Sequence, residues 1–281
     1  KGYNGYAEGD NKMRYPAYPK YRDSGVDWLG EIPEGWGSVR FSFFIGYQEG
    51  PGIMASDFLD EGVPLLRIKN VQKRTVELEG CNFLDPGKVE KKWSHFKCKE
   101  NDLIISGSAS TGLVSEIDKD SVGSIVYTGL IRLWPSSDLI NRQYIKWIVS
   151  SNLFFDQISI HKTGSTIQHF GPEHLNKMII TLPSLSEQKI IAEFLDKKTS
   201  QIDALIEKKK ELIEKLKEQR MALITKAVTK GLDDSVSMKD SGVEWLGEIP
   251  EGWEVMKIHH VVRMKSGETI TSLDIDEKGE F

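Results

Sequence analysis

Two stretches of this sequence are crowded with small hydroxylated residues. One follows Ser106 and runs Gly107-Ser108-Ala109-Ser110-Thr111-Gly112; the other is His161-Lys162-Thr163-Gly164-Ser165-Thr166-Ile167-Gln168. Hydroxyls and backbone amides gathered at a turn suit an anionic oxygen. Neither stretch has the Gly-x4-Gly-Lys-Ser/Thr pattern that cradles a nucleoside triphosphate. They read as polar turns facing a partner, and DNA phosphate qualifies, because such contacts position a protein on a duplex. Covalent chemistry finds no comparable constellation. The Asn-Pro-Pro-aromatic segment of an adenine amino-methyltransferase is missing, and so are a dinucleotide fingerprint, HExxH and Gly-x-Ser-x-Gly. Glu-x-Lys triplets such as Glu90-Lys91-Lys92 lack a partner aspartate. The six histidines, among them His95, His161, His169 and His174, show no metal spacing. His259 and His260, on a predicted strand, would point to opposite faces. No catalytic residue and no metal site are predicted, which favours a binding role.

The chain that carries these turns has 281 residues, 39% hydrophobic and 28% charged, which is ordinary for a folded, water-soluble chain of one to three domains. Cys81 and Cys98 are too few for a disulfide framework and read as reduced thiols. No apolar run reaches the ~18 residues of a membrane span. The Tyr-, Gly- and Lys-rich start lacks the apolar core of a signal peptide, so residues 1–19 read as an extension with little order. Net charge is −5, which taken alone argues against a nucleic-acid binder. Its distribution matters more. Basic and acidic residues balance over 40–185, bases exceed acids by three over 186–230, and acids dominate from 231 onward. DNA contact in the middle region must therefore rest on local clustering.

Residues 37–184 are mostly strand-like. Val63–Val71, Asp102–Ser106, Ser124–Thr128 and Leu130–Trp134 read as short strands separated by turns, which predicts a mixed or antiparallel sheet. One helix is predicted from about Asn141 to Ile158, with Tyr144, Ile145, Ile148, Phe154, Phe155 and Ile158 as its apolar positions. The predicted fold class is α+β. A second helix over 186–229 has no Gly or Pro before Gly231, and Ser184 or Ser186 can cap it, with Glu187 in its first turn. Ile202, Leu205, Leu212, Leu216 and Leu223 repeat at coiled-coil spacing, and Lys209 and Gln219 interrupt the seam. At 1.5 Å per residue it would span roughly 65 Å, which is too long for a globular core. It should serve as a spacer packed on another long helix. Lys208-Lys209-Lys210 reads as a solvated face.

The sequence also repeats itself. Asp23-Ser-Gly-Val-Asp-Trp-Leu-Gly-Glu-Ile-Pro-Glu-Gly-Trp36 returns as Asp240-Ser-Gly-Val-Glu-Trp-Leu-Gly-Glu-Ile-Pro-Glu-Gly-Trp253, with Asp27 against Glu244 as the one difference. The offset is the length of a whole module rather than of a solenoid unit. The chain therefore reads as one complete module and the opening of another, truncated at Phe281. The segment itself reads as a turn clamped by its aromatics onto another element, without a ligand role.

These features together resemble the specificity subunits of type I restriction-modification enzymes. The resemblance rests on the duplicated opening, on Thr163-Gly-Ser-Thr-Ile-Gln168, on Ile180-Thr-Leu-Pro-Ser-Leu-Ser-Glu-Gln-Lys-Ile-Ile191 and on Phe194-Leu-Asp-Lys-Lys-Thr-Ser-Gln-Ile-Asp-Ala-Leu-Ile206, in that order along residues 14–281. It implies a non-catalytic, cytoplasmic, prokaryotic subunit that binds double-stranded DNA and reads one half of a bipartite target. It implies methyltransferase and restriction/translocase subunits as partners. S-adenosylmethionine, ATP and Mg²⁺ would belong to those partners, and no cofactor to this chain. The implied domains are the extension 1–19, a target-recognition domain 20–184, a spacer helix 185–230, and a linker with the start of a second recognition domain at 231–281. With a second long helix missing, an antiparallel homodimer through Ile202, Leu205, Leu212, Leu216 and Leu223 is expected.

Under that resemblance the readout would occur in a DNA groove. Arg67, Lys69, Asn70 and Gln72 sit towards the end of a predicted strand; Arg and Lys suit guanine edges, Asn and Gln suit adenine edges. Ser106, Ser108, Ser110 and Thr111 are candidates for phosphate, and Thr163, Ser165, Thr166 and Gln168 form a second polar cluster. The competing readings are a coiled-coil adaptor that binds protein alone and an unrecognised DNA-modifying enzyme.

Overall fold

A computed structural model describes residues 17–107, 113–161 and 170–267. All but the last three residues of the predicted extension 1–19 lie outside them, as do Ser108, Ser110, Thr111, Thr163, Ser165, Thr166 and Gln168. The chain divides into two compact units, one ending at Ser200 and one beginning at Gln201.

The first unit opens with a hairpin of β1 (Tyr21–Asp23) and β2 (Glu31–Pro33), followed by β3 (Gly37–Arg40), the single turn α1 (Phe41–Phe44) and β4 (Ile45–Glu49). Then come β5 (Val63–Leu66), β6 (Asn82–Leu84), the short α2 (Pro86–Lys88), β7 (Leu103–Ser106), β8 (Val114–Glu116), β9 (Ile125–Val126) and β10 (Leu130–Pro135). The helices α3 (Arg142–Val149), α4 (Asn152–His161) and α5 (Pro172–Leu175) precede β11 (Ile179–Leu182) and the long α6 (Leu185–Lys230). Beyond it, in the second unit, β12 (Met238–Asp240) and β13 (Glu248–Pro250) form another hairpin.

An antiparallel sheet of order β4-β10-β7-β8 forms the centre of the first unit. A smaller mixed sheet, β6-β5-β9, has β5 antiparallel to β6 and parallel to β9. The predicted α+β class with mixed and antiparallel sheets is what the chain adopts. Strand alternation explains the core. Leu103, Ile105, Ile131 and Leu133 point to one face and pack with Ile145, Phe154 and Ile158 of α3 and α4. Ile104 and Leu130 point the other way and pack with Leu66, Val71, Cys98 and Val126. With both faces covered, β7 and, apart from Arg132, β10 read as apolar runs rather than alternating ones. The free thiol of Cys98 is buried here, and that burial pushes its pKa up to about 12, so it stays protonated at neutral pH.

Three predicted elements differ. The helix expected over 141–158 is two helices, because the hydroxyls of Ser150 and Ser151 turn back to the carbonyls of Lys146 (2.8 Å) and Ile148 (2.6 Å) and end the first. The strand expected over Val63–Val71 stops at Leu66, where the Asn70 side chain accepts the Arg67 amide and tightens residues 68–70 into a 3-10 turn. His259 and His260 lie in a 3-10 turn over 258–260 rather than on a strand, with ring centroids 4.1 Å apart. The long helix matches the prediction closely, running 46 residues from a start at which Ser184 and Glu187 cap each other to a stop before Gly231. Among the described residues no helix is long and apolar enough to cross a membrane, and no cluster of His, Cys, Asp or Glu is arranged to hold a metal ion.

Candidate nucleic-acid interface

Three described segments, around Arg67, Gly107 and Phe170, meet at the turn Tyr127-Thr128-Gly129 between β9 and β10. The Tyr127 amide donates to the Leu66 carbonyl at 2.9 Å, which brings in the residue after β5, Arg67. The Gly107 amide donates to the Gly129 carbonyl at 2.7 Å, and the Phe170 amide donates to the Gly107 carbonyl at 2.7 Å. Gly107 and the Arg67 segment are thus tied to a single turn, and Phe170 is tied to it through Gly107. The Thr128 hydroxyl donates to the Pro51 carbonyl at 2.8 Å and ties in the 50–58 segment. Between these pieces lies an open cleft of about 700 Å³ lined by Met54, Tyr127, Thr128, Gly129, Phe170 and Gly171, with the carboxylates of Glu49 and Glu173 on its walls. Glu49 accepts the Gly129 amide at 3.1 Å.

Arg67 is exposed and held in a fixed pose. Its guanidinium carbon lies 5.9 Å from the ring centre of Phe58 and 5.7 Å from that of Tyr127. Nη1 also donates to Asn82 Oδ1 at 3.4 Å. Such a cradle favours a guanidinium over an ammonium, because the planar fork stacks as well as bonds. Neither Phe58 nor Tyr127 stands out in the sequence, and the nearest signal is the turn glycine Gly129 between two short strands. Lys69 is exposed, and Gln72 is half-buried with its side-chain amide donating to the Lys69 carbonyl at 2.9 Å.

Asn70 departs from the sequence reading. It is 1% exposed, and its amide group is turned inward. Oδ1 accepts from the Arg67 amide at 2.9 Å, and Nδ2 donates to the carbonyls of Glu77 (2.8 Å) and Glu79 (3.2 Å). It holds the loop together and presents no edge to an adenine. Ser106 is likewise buried, at the end of β7.

The sheet beneath this surface is braced by charge. Arg132, on β10, is buried with its Nη1 3.6 Å from Asp102 and its Nη2 donating to Gln48 at 2.9 Å. Burial raises the Asp102 carboxyl above its ordinary value, although the Lys99 amide and Arg132 oppose it. At the sheet edge Glu116 binds Arg142 at 2.7 Å and Lys146 at 3.4 Å. Burial works against its charge, yet Arg142 and Lys146 prevail and hold its pKa below the usual carboxylate value.

The duplicated segment folds the same way twice. Asp23 Oδ1 accepts the Gly25 amide at 2.8 Å, and Asp240 Oδ1 accepts the Gly242 amide at 3.0 Å. Gly25 and Gly242 sit at φ 73° and 71°, a left-handed turn that glycine adopts without steric cost. In the first copy the Trp36 indole donates to Glu187 Oε1 at 3.3 Å, so the hairpin clasps the start of α6.

A sequence profile described as the type I restriction modification DNA specificity domain matches residues 45–215, which contain this whole surface and the first part of α6. The chain belongs to that family. The MjaVIII specificity subunit of Methanocaldococcus jannaschii is 32% identical over 206 residues, covering 70% of this chain and 47% of that protein. The EcoKI specificity subunit of Escherichia coli is 27% identical over 210 residues, covering 71% and 44%. The crystal structure of the HsdS subunit from Thermoanaerobacter tengcongensis superposes with a TM-score of 0.53 at 20% identity, over 75% of this chain and 48% of that one. A structure described as underlying complex assembly and conformational transition of the type I R-M system gives 0.59 at 21%, over 75% and 49%. These structures share the fold. The chain spans about half the length of the curated relatives it matches. The family resemblance drawn from the duplicated opening and the helix-start motifs is thus correct, and the specificity domain is the frame for the surface around Tyr127-Thr128-Gly129.

Proposed function

We propose that this chain is a sequence-specific DNA-binding subunit that reads one half of a bipartite target. In this proposal residues 20–184 are the reader and the long helix 185–230 is the scaffold for methyltransferase and restriction subunits. The single observation that supports it best is the meeting of the Arg67 segment, Gly107 and, through Gly107, Phe170 at one turn. A groove reader needs several short polar segments on one rigid surface, and a sheet covered on both faces supplies the rigidity. The proposed division of labour follows from charge. Arg67, cradled by Phe58 and Tyr127, is preorganised for the two acceptors of a guanine edge in the major groove. The cleft beside it repels phosphate, since Glu49 and Glu173 line it, and matches the exocyclic amino groups of cytosine or adenine. The hydroxyls of Ser108, Ser110, Thr111, Thr163, Ser165 and Thr166, with Lys69, Gln72 and Gln168, complete the proposed contact set. Cofactors are assigned to the partner subunits.

The test is a reader exchange. Residues 37–184 are replaced by those of a relative with a different target, and methylation by the assembled system is mapped across a genome. A switch of one half-site is the expected result. Methylation at unchanged sites would refute the reading and favour a protein-only adaptor. Cleavage or methyl transfer by the purified chain alone, with S-adenosylmethionine and Mg²⁺, would refute it in favour of an enzyme.

A further inference from the structure

The segment Arg67-Ile68-Lys69-Asn70-Val71-Gln72-Lys73-Arg74 carries four basic side chains and no acidic one, within a region (40–185) where acids outnumber bases outside this segment. Arg67, Lys69, Lys73 and Arg74 are all exposed, whereas the adjacent Asn70 and Val71 between them are buried and act as pins. Asn70 binds the backbone at Arg67, Glu77 and Glu79. The hydroxyl of the fully buried Ser115 donates to the Gln72 carbonyl. The Glu116 amide donates to the Arg74 carbonyl at 2.8 Å, and the Val76 amide donates back to the Glu116 carbonyl at 3.2 Å. The segment is a strap fastened along the outer edge of β8. The carboxylate of Glu116 on that strand is engaged by Arg142 and Lys146. At the strap's other end Arg67 lies against the Tyr127 ring, so this basic segment borders the candidate reading surface.

We propose that this strap is a phosphate-binding strip for the backbone of double-stranded DNA, with Lys73 and Arg74 at its outer end and Arg67 at its inner end against the bases. The inference rests on the DNA-reading function proposed above. It adds two residues, Lys73 and Arg74, and a role different from base reading. A rigid strap matters because side chains presented on a fixed backbone lose less freedom on binding than those on a loose loop. It also reconciles the acidic overall balance with DNA binding: the attraction is concentrated on one strap rather than spread over the chain.

The test uses the complete chain and fluorescence anisotropy with duplexes of unrelated sequence, across roughly 50–200 mM salt. Each phosphate contact contributes about 0.9 to the slope of log affinity against log salt. The double variant Lys73→Ala/Arg74→Ala should therefore lower the slope by about 1.8 and weaken binding equally for every duplex. Arg74→Lys should leave the slope near the parent value. Circular dichroism and melting unchanged in the variants establish that the fold is intact. Parent chain that binds with a slope identical to that of the double variant overturns the strip while leaving the reading function standing. So does a double variant that alters preference among sequences at unchanged slope. A parent chain that binds no duplex at any salt overturns both.

Discussion

Asn70 separates two roles that its residue type alone does not. An asparagine that reads adenine and one that pins a loop respond oppositely to truncation. In Asn70→Ala the Arg67 amide loses its acceptor, and the carbonyls of Glu77 and Glu79 lose their donor. Three hydrogen bonds at about 1 kcal/mol net each set an upper value near ~3 kcal/mol. Glu77 and Glu79 lie in an exposed stretch, so water restores part of this, and about 2 kcal/mol is expected. For a unit of this size that lowers the melting temperature by roughly 4–8 °C. Asn70→Asp is the control: it keeps the acceptor for Arg67 but sets a carboxylate against two carbonyls, and should cost at least as much. Urea denaturation at constant slope, followed by limited proteolysis of residues 71–81, reads both effects. Asn70→Ala with parental stability and an altered DNA preference would refute the pin and restore the base-reading role.

Gly46 lies opposite Trp134 in the β4–β10 register, and a Cβ there would stand 2.4 Å from the indole ring. Gly46→Ala should destabilise by about 1–3 kcal/mol, and Trp134→Ala in the same chain should absorb most of that cost; strict additivity in denaturation would contradict the contact. The Glu116 pKa is depressed in the folded state, so its contribution to stability is present above the ordinary carboxylate range and fades as pH falls through its folded value. Denaturation from pH 7 to pH 3 should show a shallower acid loss in Glu116→Gln than in the parent, and parallel curves would exclude the bridge to Arg142 and Lys146 as the cause. Ile202, Leu205, Leu212, Leu216 and Leu223 are all about half exposed or more on the long helix, and we propose that a second copy covers them antiparallel. Sedimentation should find a dimer at micromolar concentration and a monomer for Leu205→Glu/Leu212→Glu; a monomeric parent chain would refute the pairing.

Much of the fold was legible because its signals are local. The long helix announces itself by an unbroken run without Gly or Pro, a Ser184–Glu187 start and a Gly231 stop. The strands 103–106 and 130–135 announce themselves as apolar runs. What stayed hidden depends on contacts between distant segments. Gly46 carries no mark of the Trp134 ring it must admit, and Arg67 none of the two aromatic rings that hold it. The Ser150-Ser151 break lay in the open, but apolar spacing on both sides of it fitted one continuous helix. The candidate site was legible in composition and not in arrangement: the sequence marks the hydroxyl-rich stretches, and only the structure shows that Gly129, Gly107 and Phe170 meet.

The duplicated hairpin marks the same boundary between local and distant information within one molecule. Its two copies repeat register, turn and hydrogen bonds: Tyr21 pairs with Pro33 as Met238 pairs with Pro250, and the Ser24 amide reaches Gly30 as the Ser241 amide reaches Gly247, both at 3.0 Å. The repeated residues take the same local shape in both places. Their docking is another matter. Trp36 gives its indole hydrogen to Glu187 at the start of α6, whereas a Cβ at Gly231, just past the end of α6, would meet the Trp253 ring at 3.7 Å. Trp28 is half-buried, and its counterpart Trp245 is 85% exposed. The same clasp therefore grips different surroundings, and its energy depends on apolar area that the segment does not itself supply. A repeated segment of this kind identifies where a module begins. Under the proposed function, what the module reads falls to residues outside the repeated segment, and we place it around Tyr127-Thr128-Gly129.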